Sequence, residues 1–403
     1  MKNQPGGRRA RTTTADRIHS RREHRSLLTG GSMNTASRVH RRTCWHHPSL
    51  FLLLPIVLLL TGCSGSTANT QTGCPTVTAL RGAGSTFDAP LFNKLFSVYA
   101  GTPCGLSVDY YATGSGAGIS QFLNQLVDFA ATDAPLTDRQ QGSLPNGTIL
   151  HVPVTLGAVA ISYHLTGVSS PLHLSGAVLA SIYLGHVKSW DDPAIGHLNA
   201  GVVLPHRPIQ VVHRSDGSGT TAIFTHYLAQ ISPTWKRTVG DGTSVAFPVG
   251  VGKQGNGGIA DALSSTEGSI GYIELSYVTR LHLAAASIEN QAGAYVAPSI
   301  AGAQAAAAGV ETIPADLRFY VVNARGAQAY PIAGYSWVLV YRTPGDGEKG
   351  KALAQLLWRM IHDGQTYAEP LGYAPLPASI VTKGEGQIRS MRCGSSAMAC
   401  FTR

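Results

Sequence analysis

The chain has 403 residues, of which 13% are charged, which is length enough for two domains that each bury a core of their own. A formal charge of +9 would suit a nucleic-acid or membrane ligand, but eleven of the 31 Lys and Arg and only two of the 22 Asp and Glu fall within residues 1–62. The remainder carries equal numbers of acids and bases, so its charge excludes a polyanion-binding body and assigns the basicity to a leader.

In that leader Arg38, Arg41 and Arg42 precede the apolar run Leu50 to Leu60, which is too short to span a bilayer but fits the core of an export signal. Leu60-Thr61-Gly62-Cys63 resembles a bacterial lipobox, which predicts cleavage after residue 62, a diacylglycerol on Cys63 and a small, polar tether over 63–75. An ordinary signal peptide with a coincidental cysteine is the alternative, and a basic nucleic-acid-binding arm is the alternative for residues 1–32; Met33 gives a signal of more usual length. Export favours disulfides among Cys74, Cys104, Cys393 and Cys400, which allow three pairings. Cys74 and Cys104 each stand just before a strand-like run. If those runs are parallel neighbours, Cys74 pairs with Cys104, and Cys393 with Cys400. No Cys/His spacing suggests a metal, and no cofactor is expected.

Past the tether, strand-like and helical runs alternate. A strand over Thr76 to Leu80 precedes a helix from Asp88 to about Ala100, and one over Leu106 to Tyr111 precedes a helix from about Gly116 to Leu126. Phe129 to Thr132 leads to a short helix near Asp138. Ala158 to Tyr163 and Pro208 to Val212 read as strands of a second lobe, with helices at Ser175 to Leu184 and Thr220 to Gln230. The stretch Gly250 to Gly255 matches GxGxxG weakly after Pro248 and reads as the flexible entry to a helix near Gly258. Ala301 to Gly309 is Ala-rich and helical; Ser336 to Tyr341 is a strand and Gly350 to His362 a helix. This is α/β patterning with a parallel sheet, whose ligands bind outside the carboxyl ends of the strands.

Three such edges carry the same chemistry: Gly82-Ala83-Gly84-Ser85-Thr86-Phe87, Thr113-Gly114-Ser115-Gly116, and Arg214 to Thr221. Each sets small residues and a hydroxyl at the start of a helix, where backbone N–H groups lack intrahelical acceptors and the dipole favours an anion. Ser218 or Thr220 capping an ordinary turn is the simpler reading of the third. Arg214 adds a permanent charge, with Asp216 expected to orient it rather than touch a ligand. Asp133, at the end of the third strand, would repel an anion unless that anion has a proton to donate. Hydrogen phosphate has one, whereas sulfate and molybdate do not. Capping of the helix after Pro135 is the simpler reading of Asp133.

GAGSTFDAPLF, YYATGSGAGISQF, VDFAATDAPLTD, IYLGHVKSWDDPAI, HRSDGSGTTAIFTHYLA and SIGYIELSYV resemble successive blocks of the phosphate-binding proteins of bacterial phosphate ABC transporters, from about Thr76 to about Pro377. The resemblance implies a two-lobed periplasmic-binding-protein-like fold of type II, with mixed, mainly parallel sheets, a hinge near Gly157 and Tyr330, and a ligand cleft between lobes. Lobe I would take residues 76–157 and 330–390, lobe II 158–329, and a tail 391–403. It implies phosphate contacts at Thr86, the Phe87 N–H, Ser115, Asp133, Arg214, Ser218, Gly219 and Thr220, with Gly116 and Asp216 in support. It further implies an extracytoplasmic, lipid-anchored monomer without enzymatic activity or nucleic-acid ligand, delivering inorganic phosphate to an ABC permease. Ser85 and Asp88 stand where the commonest family pattern has Ala and Pro; neither is expected to touch a contact residue. Arsenate carries the same proton as phosphate and remains an alternative ligand, as does sulfate. A secreted phosphoester-processing enzyme would need a nucleophile and base, and the chain has no GxSxG or HExxH; His213 should face away from Arg214 by strand alternation.

Overall fold

The computed structural model describes residues 76–401 except 104, 143, 145–147, 169 and 395–397. The leader, the lipidation site Cys63 and the pair Cys74 and Cys104 therefore lie outside the described residues.

In chain order the strands are β1 Ala79–Gly84, β2 Ser107–Tyr111, β3 Phe129–Thr132, β4 Ile149–Tyr163, β5 His173–Leu174, β6 Gln210–Arg214 and β7 Val251–Lys253. They continue with β8 Ser269–Glu274, β9 Ala284–Ala285, β10 Ser287–Glu289, β11 Tyr295–Val296, β12 Ala333–Tyr341, β13 Arg392–Cys393 and β14 Met398–Ala399. The helices are α1 Ala89–Ala100, α2 Ser115–Leu123, α3 Asp138–Gln141, α4 Gly176–Tyr183, α5 Pro193–Gly196 and α6 Gly219–Ile231. After them come α7 Pro233–Thr238, α8 Gly255–Ser265, α9 Leu275–Leu281, α10 Ile300–Ala308, α11 Gly347–Ile361 and α12 Ala378–Arg389. Among the described residues no helix is long and apolar enough to cross a membrane.

Why the chain folds this way is clearest at β4 and α1. All fifteen residues of β4 are buried, because the strand is apolar on both faces and α10, α11 and α12 pack on it. In α1, Pro90 presets the first turn, and Leu91, Phe92, Leu95, Phe96 and Tyr99 recur at helical spacing to form the stripe that faces the core. Phe92 and Phe96 meet the Tyr110 ring of β2 at 5.0 and 6.1 Å, and each buried aromatic contributes about 1.5–3 kcal/mol of transfer free energy.

One nine-stranded sheet runs in the order β2-β1-β3-β12-β4-β8-β6-β7, with β9 on β4. The β1 strand is parallel to both β2 and β3, with Ala79 opposite Ser107, and β6 is parallel to β7 and β8. Within the sheet the long β4 joins the two halves: through Ala158 it pairs with β12, and from Val159 onward it pairs with β8. These are the two lobes of a periplasmic-binding-protein fold, and the sheet is mixed rather than mainly parallel: β12 runs antiparallel to β3 and β4, and β4 antiparallel to β8 and β9, because the chain crosses between the lobes along β4 and returns along β12.

Several expected elements are longer or shifted. The first strand begins at Ala79 rather than Thr76, β4 reaches back to Ile149, and β12 to Ala333. The strand β8 carries no alternation in the sequence, because it is completely buried on both faces. The GxGxxG stretch is not merely a flexible entry: residues 251–253 form an edge strand before α8 begins at Gly255. At the tail, Cys393 and Cys400 form a disulfide with Cα atoms 4.9 Å apart. Phe401 stacks on Trp358 of α11 at 4.4 Å, so residues 398–401 are docked on the body.

Candidate functional site

The three glycine- and hydroxyl-bearing loops sit at the carboxyl ends of β1, β2 and β6, and the open ends of α1, α2 and α6 converge there. Ser218 does cap α6, its Oγ accepting the Thr221 N–H at 3.1 Å, yet it is fully buried beside the other loops. Asp133 does not cap α3; Thr137 does, through a capping box with Gln140. Thr86, Phe87, Ser115, Asp133, Arg214, Ser218, Gly219 and Thr220 all come together and all are buried, Arg214 to 5% exposure.

The two halves of the sheet touch backbone to backbone at this point. The Gly116 N–H donates to the Gly217 carbonyl at 2.8 Å, and a Cβ on Gly217 would lie 3.0 Å from the Gly116 Cα. A Cβ on Gly219 would lie 2.5 Å from Asp133 Oδ2 and 2.6 Å from the Asp133 nitrogen. Only a residue without a side chain lets the N-terminus of α6 approach the carboxylate this closely.

Arg214 spends one edge of its guanidinium on Asp216: Nε donates to Oδ1 at 2.8 Å and Nη2 donates to Oδ2. Nη1 reaches Thr220 Oγ1 at 3.3 Å and is the face turned toward the converging helix ends. Burial tends to raise the Asp216 pKa, but the hydrogen bonds and charge of Arg214, with the Gly255 N–H, outweigh it and hold the carboxyl below its usual range. Asp216 is thus an orienting anion that fixes the cation. His213 points the other way, stacking on Phe247 at 4.4 Å with Nδ1 3.0 Å from the Arg214 carbonyl.

Thr86 is prepared as a donor by a residue that sequence reading missed. Asn256 donates to Thr86 Oγ1 both from its backbone nitrogen, at 3.1 Å, and from Nδ2, at 3.0 Å. Its Oδ1 in turn accepts the Glu274 N–H at 3.2 Å, which fixes the amide orientation. With both lone pairs of the hydroxyl engaged, the proton is what Thr86 has left to give, as an anion requires. Tyr277 joins the same contact, donating its OH to the Thr86 carbonyl at 3.0 Å.

Asp133 is 1% exposed, and burial pushes its carboxyl up to about 6 against the nearby hydroxyls of Ser85 and Ser336 and the charge of Arg214, which pull it down. Its Oδ1 accepts from Ser336 Oγ at 2.9 Å, while Oδ2, buried beside Gly219, has no hydrogen-bond partner. Two expectations need correction here. Ser85 does touch a contact residue, its Oγ accepting the Phe87 N–H at 2.9 Å, whereas Asp88 touches none directly and shares Ser336 with Asp133. The Phe87 N–H, expected to serve a ligand, is given to Ser85. Both departures sit in the tight turn between β1 and α1, where any added polar atom must find a partner inside the site.

The site therefore offers one fixed cation, several hydroxyl and backbone donors, and one carboxylate oxygen, all removed from water. Such an arrangement can hold a small tetrahedral oxyanion bearing a proton. Among the described residues no group of His, Cys, Asp and Glu could hold a metal ion.

The chain matches the model of the PBP superfamily domain over residues 69–358. It is 38% identical over 310 residues to the phosphate-binding protein PstS of Pasteurella multocida, covering 76% of this chain and 89% of that one. It is 32% identical over 372 residues to the protein of the same name from Methanocaldococcus jannaschii, covering 85% and 94%. Among solved structures, a high-affinity periplasmic phosphate-binding protein with bound phosphate superposes with a TM-score of 0.62 at 21% identity, over 80% of this chain and 95% of that one. The phosphate-binding protein of Stenotrophomonas maltophilia does so at 0.58 and 18%, over 77% and 94%. These two likenesses bear on the fold alone.

Proposed function

The chain belongs to the phosphate-binding PstS proteins of the PBP superfamily, and from that premise we propose that it captures inorganic phosphate outside the cytoplasm and delivers it to an ABC-type phosphate permease. The observation that carries the ligand is Asp133: a buried carboxylate facing the anion side of Arg214 and α6, with one oxygen still open as an acceptor. Sulfate would meet that oxygen as like charge against like charge, at a cost of several kcal/mol. Hydrogen phosphate instead donates its proton to Oδ2 and accepts from Arg214, Thr86, Ser115, Ser218, Thr220 and the Gly219 N–H.

Capture needs no chemistry. The contact residues are sealed from solvent, so the ion enters only when the halves of the sheet part, and closure replaces its hydration shell with fixed donors. Lobe I would comprise 76–157 with 330–390 and lobe II 158–329; the hinge at Gly157 and near Tyr330 is supported by the switch of β4 from β12 to β8 just after Ala158. Export as a monomer anchored by a lipid on Cys63 fits the leader and the polar tether, and keeps the binding protein near its permease.

Calorimetry with phosphate and sulfate tests the reading on the wild type and Asp133→Asn. The wild type binds phosphate and not sulfate, and the Asn variant, able to donate an N–H, narrows the ratio by at least tenfold, about 1.4 kcal/mol. An unchanged ratio in the variant removes Asp133 as the reader of the proton.

A further inference from the structure

The side chain of Asp88 touches none of the expected ligand contacts directly, yet it is completely buried at the entrance of α1 and makes no capping bond to that helix. It turns inward instead. Ser336 Oγ lies 2.6 Å from Asp88 Oδ2, 2.9 Å from Asp133 Oδ1 and 3.1 Å from the Thr132 carbonyl oxygen. One hydroxyl has a single proton to give, and with both acids ionised all three neighbours are acceptors. The cluster needs a second proton to be hydrogen-bonded.

The surroundings place that proton on Asp88. Facing it are Asp133 from the end of β3, Glu274 from β8, and the phenols of Tyr110, Tyr277 and Tyr373. None supplies positive charge, whereas Arg214 acts on Asp133. Asp88 Oδ1 has no hydrogen-bond partner in the buried interior. The α1 dipole favours the anion by only about 0.3–1 kcal/mol, while an unpaired buried carboxylate costs several. Burial, then the charge of Asp133, push the Asp88 carboxyl well up.

We propose that Asp88 is a neutral acid that donates through Ser336 to Asp133 and is thereby a positioning residue for selectivity between protonated and unprotonated oxyanions; this rests on the phosphate reading. With Asp88 O–H given to Ser336 Oγ, the serine proton turns to Asp133 Oδ1. Asp133 then stays ionised with Oδ2 as a pure acceptor, the state that admits hydrogen phosphate and repels sulfate. Were Asp88 the anion, it would compete for the serine proton and drive Asp133 to hold a proton itself. A protonated Asp133 can donate to sulfate, and the discrimination falls.

The test compares Asp88→Asn, Asp88→Ala and Ser336→Ala by calorimetry with phosphate and sulfate at pH 7. Asn donates an amide N–H where the acid donates its O–H, so it keeps the phosphate-over-sulfate ratio within about threefold of wild type. Ala at either position lowers the ratio about tenfold or more. An Asn variant that falls as far as the Ala variants overturns the proposal, because then the charge of Asp88 is what matters. Should Asp88→Ala not fold, Ser336→Ala carries the same contrast. Independently of any ligand, the infrared spectrum of the wild type minus Asp88→Asn shows a protonated carboxylic C=O band at pH 7, and its absence overturns the placement of the proton. A wild type that binds no phosphate overturns the phosphate reading and the selectivity role together, while the infrared band still decides where the proton sits.

Discussion

At Arg214 a single guanidinium serves two masters, and the division of its N–H groups decides what each can do. Nε and Nη2 are held by Asp216, and the side chain is 1% exposed, so the cation is fixed without being neutralised at its Nη1 face. Arg214→Ala removes the positive charge that acts on the buried Asp133 carboxylate and leaves Asp216 without its cation. Loss of one member of a buried, hydrogen-bonded charge pair costs about 2–5 kcal/mol, so phosphate affinity falls by roughly 30-fold or more at neutral pH. Calorimetry checks this, and an unaltered Kd takes Arg214 out of the site. Both Arg214 and Asp133 stood out in the sequence because a charge among glycines and hydroxyls needs a reason. Asn256 and Ser336 did not, since each acts on a residue far along the chain, Asn256 on Thr86 at a separation of 170 and Ser336 on Asp133 at 203. The one local sign at Asn256 is its place after Gly255, whose φ of +66° aims the Gly255 N–H at Asp216 Oδ1, 2.9 Å away.

Between elements, the decisive fit is that of the α6 N-terminus against the end of β3. The helix start was legible from Ser218-Gly219-Thr220, because a capping hydroxyl followed by a helical run marks a boundary. What it faces was not legible. In Gly219→Ala the new methyl would meet Asp133 Oδ2 at 2.5 Å, backbone on one side and a packed carboxylate on the other. The halves cannot close over the anion without moving apart by several tenths of an ångström, so phosphate affinity falls by about 1–3 kcal/mol, the usual cost of overpacking, while the separate halves keep their fold. Calorimetry reads the affinity and small-angle scattering the more open envelope with phosphate present. Wild-type affinity in this variant contradicts the close approach.

The whole molecule buries three carboxyls around one centre, and this sets its response to pH. Burial raises Asp88, Asp133 to about 6 and Glu274 to about 8, the last against hydrogen bonds from Ser276. In the unfolded chain such groups titrate near 4, so between pH 4 and 8 these three sites together hold more protons in the native state than in the unfolded state. Stability conferred by keeping these acids neutral is complete below that window and is lost as pH rises through the folded values. Buried His151, whose imidazole is held down to about 3, opposes this trend below the ordinary histidine range, so the comparison belongs above it: the ligand-free protein melts at a higher temperature at pH 6.5 than at pH 8, and Glu274→Gln flattens that slope. Scanning calorimetry without phosphate checks it, since bound phosphate would add its own stabilisation. A melting temperature that climbs from pH 6.5 to 8 contradicts the account.

Local order determined a great deal by itself. The alternation of strands and helices, the three anion-binding turns, the fixed cation and the out-of-place Asp133 all follow from residues adjacent in the chain, because propensity, capping and dipole effects act over a few positions. Complete burial erased the periodicity of β8 and of the first half of β4, so those strands became visible only in the fold. The tertiary structure alone decided that the three turns meet, that Asn256 leaves Thr86 a proton to give, and that Ser85 and Asp88 enter the site. Those outcomes depend on which distant atoms share a space without water, where one hydroxyl of Ser336 must satisfy two acids at once.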